Sequence, residues 1–303
     1  MYEGFPARFI SFLRCPNDEG HLRLVDGQGE AKYLMAGALE CTSCGTHFPI
    51  VEGIVRLLRD DTSLDDVSSH ERETRDREAP SYRIDAEVSD WQQMEIASTL
   101  SAMQPLRPED LLLELGCGTG RYTTRLAEHG IGIVAADFSF QALKTLASRV
   151  KSHWKIGLVQ ADGTKPIVGP NQFKLALSTL VSNLPTMEQR SAMFSHVSKA
   201  LARDGKFVFS AHHHSLRARL RGESQAGTYA SNGIFRYLFR KKELLRETQA
   251  AFETTSLRRI QIHVPLSQRI GLPQVLLSRL AESLPVLNSL AELLLVSASR
   301  PRS

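Results

Sequence analysis

Continuous apolar runs recur along the last two thirds of the chain, and polar residues separate them. These runs predict buried strands, because strands with one solvated face alternate apolar and polar positions instead. We expect five strands in succession, over Leu111–Leu115, Ile131–Ala136, Lys155–Gln160, Phe173–Leu180 and Lys206–Ser210. Two further runs predict the final strands, over Leu257–Val264 and Leu293–Ala298.

Apolar residues at helical spacing lie between several of these strands. They predict helices over Trp91–Met103, Thr119–His129 and Pro273–Leu290. Strands that alternate with helices favour an α/β fold, in which a mostly parallel sheet of seven strands carries helices on both faces. The apolar face of the last helix either packs on the sheet or forms a dimer contact. A homo-oligomer is therefore one of the two alternatives.

The first of these strands ends in a carboxylate and a glycine-rich turn. Glu114 lies near the end of the strand, and Gly116, Gly118 and Gly120 allow a sharp turn and close approach of a ligand to the backbone. A helix is expected directly after the turn, so free N–H groups face the same point. A strand, a glycine turn and a helix N-terminus together predict a nucleotide-sized binding site.

Acidic residues follow the next two strands. Asp137 stands at the tip of the second strand, where a carboxylate can accept from both ribose hydroxyls of a nucleoside. Asp162, with Gly163 beside it, follows the third strand and can accept from an adenine amino group. In such a sheet the strand tips face the ligand, so these residues predict one nucleoside site.

This pattern resembles the class I S-adenosylmethionine-dependent methyltransferases, which have a Rossmann-like sheet. The resemblance covers about Val88 to Ser299, and Glu-Leu-Gly-Cys-Gly-Thr-Gly at 114–120 is similar to the family's first motif. It implies S-adenosylmethionine as cofactor, with Asp137 on the ribose and Phe138 beside the adenine. The full cofactor site that it implies is Glu114, Gly116, Cys117, Gly118, Gly120, Asp137, Phe138, Asp162, Gly163 and Ser178.

A nicotinamide cofactor is disfavoured at the same turn. The dinucleotide fingerprint has a third glycine three residues after the second, and Arg121 stands at that position. An oxidoreductase is therefore not expected.

Three adjacent histidines follow the fifth strand. His212, His213 and His214 are candidates for a general base, because imidazole titrates near neutrality and a hydroxyl acceptor must lose its proton. The alternative is a polar loop in which one histidine caps the strand and two face water.

The segment at about 212–246 is an insertion rich in arginine, lysine and aromatic residues. In this fold such insertions roof the acceptor pocket, so we expect substrate contacts from Tyr229, Arg236 and Tyr237. Guanidinium groups would suit an anionic molecule, and aromatic rings could stack on exposed bases. The alternative is a helix whose basic face meets solvent.

Residues 1–58 hold three of the four cysteines. Cys15 and the Cys41-x-x-Cys44 pair resemble the zinc-ribbon domains of tRNA-methyltransferase activator proteins and of some ribosomal-RNA guanine methyltransferases. The resemblance implies a small β-rich domain, with Zn²⁺ bound by Cys15, Asp18, Cys41 and Cys44 and with Asp18 where those proteins have a fourth cysteine. His21 or His47 could complete the set instead, and a ribbon that no longer binds metal is a further alternative.

A strongly charged stretch separates the two regions. Residues 59–87 are expected to form a solvated linker or an exposed helix, and 88–303 the catalytic domain. The chain has 303 residues, 42% hydrophobic and 23% charged, with a net charge of +4, which is ordinary for a soluble globular protein. We find no apolar stretch of membrane-spanning length and no signal-peptide pattern, so the cytoplasm is the expected location and no membrane partner is expected.

The sequence therefore predicts an S-adenosylmethionine-dependent methyltransferase that acts on a hydroxyl or amine of a small molecule, which the basic insertion allows to be anionic. An RNA methyltransferase that holds its substrate with the ribbon is the first alternative. A non-catalytic scaffold for another methyltransferase is the second, and the intact glycines, Asp137 and Asp162 argue against it.

Overall fold

The structure, a computed structural model, describes residues 2–28, 32–58, 64–82, 89–179, 181–264, 273–284 and 286–302. Parts of the predicted 59–87 linker, the end of the predicted fourth strand at Leu180 and one residue of the predicted 273–290 helix, Pro285, lie outside these ranges.

The described residues form fifteen strands. Six lie in the N-terminal region: β1 (Phe5–Pro6), β2 (Leu22–Gln28), β3 (Tyr33–Leu34), β4 (Ala36–Cys41), β5 (His47–Val51) and β6 (Ile54–Arg56). The other nine are β7 (Leu111–Leu115), β8 (Gly132–Asp137), β9 (Lys155–Gln160), β10 (Phe173–Ser178), β11 (Leu201–His212), β12 (Ala226–Thr228), β13 (Phe235–Tyr237), β14 (Phe252–Ile260) and β15 (Leu293–Pro301).

One large sheet forms the centre of the molecule. Its eleven strands run in the order β14-β15-β11-β10-β7-β8-β9-β6-β5-β4-β2. The seven predicted strands are all present in it; β7 to β11 pair in parallel, and β15 lies antiparallel between β11 and β14. The predicted α/β fold is thus confirmed. The sixth strand spans Phe252–Ile260 rather than 257–264, because Phe252 and Thr254 already pair with β15.

The N-terminal region is β-rich, as predicted, and its strands continue the central sheet. β6 pairs in parallel with β9 through Ile54 and Leu158, and β5, β4 and β2 follow in antiparallel order. Phe5 also packs over this junction, since a Cβ on Gly157 would come within 2.8 Å of its ring. The N-terminal strands and the α/β region therefore share one sheet and one core.

Eight α-helices accompany the strands in the described ranges: α1 (Asp66–Glu78), α2 (Asp90–Met103), α3 (Thr123–Ala127), α4 (Phe140–Ala147), α5 (Met187–Ala200), α6 (Leu216–Leu220), α7 (Lys241–Gln249) and α8 (Gln274–Ser283). Short 3₁₀ segments include Val181–Asn183 and Leu287–Leu290. None of the described helices combines the length and apolarity needed to cross a bilayer.

Alternate residues of the strands enter two separate cores. On β7, Leu113 packs with α5 on one face, and Leu112 packs with α2 and α4 on the other. Both faces of the sheet are therefore covered, which explains why the strands are apolar throughout. The carboxyl ends of β7 to β10 meet at one edge, and the functional site lies there.

Candidate active site

A cavity of about 500 Å³ lies at the carboxyl ends of β7, β8, β9 and β10. Eight of the ten predicted cofactor residues line it: Gly116, Cys117, Gly118, Asp137, Phe138, Asp162, Gly163 and Ser178. The structure thus brings together residues that are far apart in the sequence. Glu114 and Gly120 are not part of its lining.

The glycines of the turn have two different tasks. Gly116 and Gly118 have φ of +73° and +53°, and a Cβ at either position would meet no protein atom within 4 Å. They keep the turn tight and leave its backbone open to a ligand. Gly120 has φ of +93°, and its Cβ would come within 2.3 Å of Leu146 Cδ1. It is required for packing against α4.

Asp137 is fixed at the tip of β8. The backbone N–H of Gly118 donates to its Oδ2 at 2.8 Å, and that of Ser139 donates to Oδ1 at 2.9 Å. Burial raises the pKa of Asp137, and these two N–H donors oppose the shift. The carboxylate is therefore held in one orientation, directly beside the glycine turn.

The residues predicted to contact the adenine are also held by hydrogen bonds. Asp162 Oδ1 accepts from the backbone N–H and the hydroxyl of Thr164, at 2.8 and 2.7 Å. Gln160 Nε2 donates to the carbonyl of Phe138 at 3.1 Å, which ties the second strand tip to the third. Both predicted adenine contacts thus lie on supported backbone.

Two predicted cofactor residues are buried below the cleft or inside the turn. Glu114 accepts from the Thr123 hydroxyl at 2.7 Å, and burial raises its pKa to about 8. Burial also raises the pKa of the Cys117 thiol, which is 5% exposed. A thiol held neutral is a poor nucleophile, so Cys117 fits a packing role.

Helix α1 forms a roof over the cavity, and sequence reasoning missed this. Val67, Glu71, Arg75 and Glu78 follow one another at helical spacing and all line the cavity. The charged stretch was expected to meet solvent, because a polar helix usually does. The spacing, together with Asp65 as an N-cap that accepts from the Ser68 N–H at 2.8 Å, is the signal that could have identified a helix with a functional face.

The roof is attached by hydrogen bonds to two distant elements. Asp76 Oδ1 accepts from the Ser139 hydroxyl at 2.6 Å, at the start of α4. Asn232, in the predicted insertion, donates to Glu78 Oε1 at 3.1 Å, and His70 Nε2 lies 3.3 Å from its carbonyl oxygen. The insertion therefore contacts α1, the helix that lines the cavity.

Glu71 and Arg75 place opposite charges on the underside of the roof. Glu71 Oε1 and Arg75 Nη2 are 3.4 Å apart. Burial raises the pKa of Glu71 to about 7, and the guanidinium opposes this shift. Glu71 can thus exchange a proton near neutrality inside the cavity.

The first predicted histidine pairs with the first predicted substrate residue. His212 Nε2 and Tyr229 Oη share a hydrogen bond of 2.5 Å, and the backbone N–H of His212 donates to Ser182 Oγ at 2.7 Å. Burial lowers the pKa of His212 to about 4 and raises that of Tyr229 to about 12. The pair is therefore neutral at physiological pH, and neither residue is part of the cavity lining.

The remaining histidines and substrate candidates contact other parts of the protein. His213 Nδ1 donates to the carbonyl of Ala291 at 2.7 Å, and His214 Nε2 donates to that of Glu223 at 2.8 Å. Arg236 pairs with Glu223 at 2.9 Å, and the Tyr237 hydroxyl donates to Glu243 at 2.7 Å. None of these four residues lines the cavity, and their predicted roles stay predictions.

A second cluster lies in the N-terminal region. Single ligand atoms of Cys15, Asp18, Cys41 and Cys44 all lie within 4.8 Å of one another. The sulfurs of Cys15 and Cys44 are 3.7 Å apart, and Cys41 Sγ is 3.3 Å from Asp18 Oδ1. Tetrahedral zinc with sulfur ligands at about 2.3 Å sets neighbouring ligand atoms roughly 3.8 Å apart, so these residues fit that ion.

Comparison with known proteins supports this class of fold. Residues 112–205, from β7 into β11, match the family model described as a methyltransferase domain. This segment is therefore similar to a methyltransferase domain, and the chain has the fold of S-adenosylmethionine-dependent methyltransferases. No curated protein matches the sequence at a significant level.

Solved structures share this fold at low sequence identity. An S-adenosylmethionine-dependent methyltransferase from Listeria monocytogenes is 18% identical, with a TM-score of 0.52, over 69% of this chain and 100% of that one. Phosphoethanolamine N-methyltransferase 2 from Haemonchus contortus, solved with phosphomonomethylethanolamine and S-adenosylhomocysteine, is 16% identical, with a TM-score of 0.54, over 80% of this chain and 61% of that one. The DhpI complex with S-adenosylhomocysteine is 14% identical, with a TM-score of 0.54, over 80% and 100%.

Proposed function

We propose that this protein is an S-adenosylmethionine-dependent methyltransferase that acts on a hydroxyl or amine of a small molecule. The observation that carries the proposal is the cavity at the strand tips, where an open glycine turn, Asp137 and Asp162 converge. These are the groups that the backbone, ribose and adenine contacts of such a cofactor require.

The residues of the cavity fit the cofactor and suggest how each would act. The cofactor, when bound, supplies an electrophilic methyl group on a positively charged sulfur. Asp137 would hold the ribose, Asp162 the adenine edge, and the N–H groups of the glycine turn the methionine part. The chain then has to align the acceptor and exclude water, which contributes much of the acceleration in such reactions.

A small acceptor is favoured because the cavity is roofed. Three turns of α1 line the cavity and Asn232 holds that helix in place, which leaves less room for a macromolecule at the site. Within the cavity, Arg75 offers a cation to an anionic group, and Glu71 can take a proton from an amine or hydroxyl. The arginines of the insertion contribute less than expected, since Arg236 and Arg217 pair with Glu223 and Glu292.

We also propose a structural zinc ion held by Cys15, Asp18, Cys41 and Cys44. The backbone N–H groups of Ser43 and Cys44 donate to Cys41 Sγ at 3.4 and 3.5 Å, so the sulfur is oriented by its own turn. Gly20 leaves the room for it, because a Cβ there would lie 2.6 Å from that sulfur. These sulfur and carboxylate ligands would leave the ion no open position for catalysis.

Calorimetry with S-adenosylhomocysteine tests the cofactor site. We expect the wild type to bind, and Asp137→Ala to lose about tenfold to a hundredfold in affinity, as for a lost hydrogen bond to a charged group. Asp204→Ala, which removes an exposed carboxylate paired with Lys174, is the matched control and should bind like the wild type. Absence of binding by the wild type, or unchanged affinity of Asp137→Ala, would contradict the proposal.

Titration with bulk RNA separates the RNA methyltransferase alternative. Phosphate contacts make affinity fall steeply with salt. If the acceptor is a small molecule, RNA binding should not depend on the cations of the N-terminal region. Arg23→Gln and Lys32→Gln should then leave any salt-dependent binding of RNA unchanged. Binding that these substitutions weaken would favour the RNA alternative.

A further inference from the structure

A second cavity, of about 600 Å³, lies at the edge of the central sheet. Residues of β14, α2, α8, the segment after α8 and the first residue of α7 line it, and it shares no lining residue with the cofactor cavity. We call it the basic cavity, because Lys241, Arg258, Arg259 and Arg279 line it together with one acid, Glu282.

The positive charge of the basic cavity is largely uncompensated. Arg258 Nη2 lies 3.8 Å from Glu282 Oε2, and in the described part of the chain Lys241, Arg259 and Arg279 have no carboxylate partner. The other oxygen of Glu282 accepts from the backbone N–H of Gln261 and the Ser278 hydroxyl, each at 2.9 Å. Glu282, the one acid among the described residues that line the cavity, therefore also serves to hold α8 against the end of β14.

The Arg259 guanidinium is held in one orientation and has one N–H donor without an acceptor among the described residues. Arg259 Nη1 donates to Asn288 Oδ1 at 2.9 Å, which fixes the plane of the group. Its Nε is buried, and no acceptor among the described residues reaches it. A buried donor without an acceptor is unfavourable, and an anion in the cavity would remove that cost.

Neutral hydrogen-bond donors complete the lining. Ser98, Ser101 and Ser283 contribute hydroxyls, and Leu257 is the single apolar residue among those that line the basic cavity. Several cations, hydroxyl donors and little apolar surface suit a compact, multiply charged oxyanion rather than a carboxylate on an apolar body.

We propose that the basic cavity binds a phosphate-bearing small molecule, with an oligophosphate group between Lys241 and the three arginines. The cations come from three separate elements and converge on one cavity, whereas a nucleic-acid strand is usually followed by a line of cations. The site lies apart from the cofactor cavity, so it is a second binding function and does not depend on the proposed methyltransferase activity.

Calorimetry with pyrophosphate at low ionic strength tests the site. The wild type should bind, and the double variant Lys241→Gln with Arg279→Gln should bind at least tenfold more weakly. Both side chains are exposed and have no hydrogen bond in the described residues, so their loss should leave the fold intact. The matched control removes two exposed arginines elsewhere, Arg8→Gln with Arg203→Gln, and should stay within twofold of the wild type.

The same variants distinguish the outcomes. S-adenosylhomocysteine should bind the double variant as it binds the wild type, which keeps this test separate from that of the cofactor site. A single-stranded RNA that competes with pyrophosphate, and that the double variant also binds weakly, would overturn the small-molecule proposal in favour of nucleic-acid binding. Failure of pyrophosphate to bind, or equal weakening by the control pair, would overturn the proposal.

Discussion

Carboxyl groups at the cofactor site differ in how their charge is supported. Burial raises the pKa of Glu71 to about 7, that of Glu114 to about 8, and also that of Asp137. Glu114 accepts from one neutral hydroxyl, whereas Asp137 accepts from two backbone N–H groups, which stabilise a negative charge better. Of these three acids, the one proposed to bind the ribose, Asp137, has backbone N–H donors on both of its oxygens.

The third glycine of the turn should matter for stability. We expect Gly120→Ala to lower the free energy of unfolding by about 2–3 kcal/mol, because it combines a strained backbone with overpacking against Leu146. Urea denaturation measures this. Gly227→Ala, where a Cβ meets open space, is the control and should change stability by less than about 0.5 kcal/mol; equal losses in the two variants would refute the steric argument.

Helix α1 shows how an element of almost wholly polar composition can be part of a binding site. Its only large apolar residue is Val67, which is 38% exposed, so apolar burial contributes little to its position. Two hydrogen bonds position the helix instead: Asp76 accepts from the Ser139 hydroxyl, and Glu78 accepts from the Asn232 side chain. A helix held in this way depends on the elements around it, since isolated helices of this length are marginal.

The buried acid of α1 should make stability depend on pH. The pKa of Glu71 is raised from 4.5 in the unfolded chain to about 7, so the folded state binds more protons between these values. Its contribution to stability therefore falls as pH rises from 4.5 to 7 and is constant above. The free energy of unfolding of Glu71→Gln, relative to that of the wild type, should therefore rise by on the order of 2 kcal/mol between pH 4.5 and pH 8.

Urea unfolding at both pH values measures this difference. Glu73→Gln, which removes an exposed carboxylate from the same helix, is the matched control and should show no such trend. The same advantage of Glu71→Gln at both pH values would mean that Glu71 ionises normally.

The sequence predicts those residues of the site that directly follow a predicted strand. Strand tips come directly after apolar runs, so the sequence alone assigns Asp137 and Asp162 to one edge of the sheet. The position of Glu71 and Arg75 could not be predicted, because it depends on contacts of α1 with Ser139 and Asn232, which lie far along the chain. The catalytic role of the histidines after β11 stays a prediction, and the sequence did not indicate that two of them donate to backbone carbonyls.

At the scale of the whole molecule, the N-terminal strands and the methyltransferase fold are one body. The pairing of β6 with β9 joins eleven strands into one sheet, and Phe5, Phe48 and Val134 belong to one core. Residues 1–58 and 88–303 were predicted as separate regions of the sequence. In the structure, one core extends through both.

Loss of the proposed zinc should therefore destabilise the whole protein. We expect Cys41→Ser to lower the metal content and to shift a single unfolding transition down by roughly 5–10 °C. Circular dichroism and tryptophan fluorescence, with Trp154 beyond the ribbon, should report the same midpoint. Ser43→Ala, in the same turn, is the control and should keep the metal content of the wild type. A separate early transition, or unchanged metal content in Cys41→Ser, would contradict this.

The roof over the cavity also has a kinetic consequence. α1 lines the cavity, and it is fastened at Ser139 and Asn232. If the proposed cofactor binds beneath this helix and leaves past it, its release would require these contacts to loosen, and exchange would compete with the chemical step in setting turnover. Turnover should then fall in viscous solvent, and weakening these contacts should speed release of the spent cofactor while lowering its affinity.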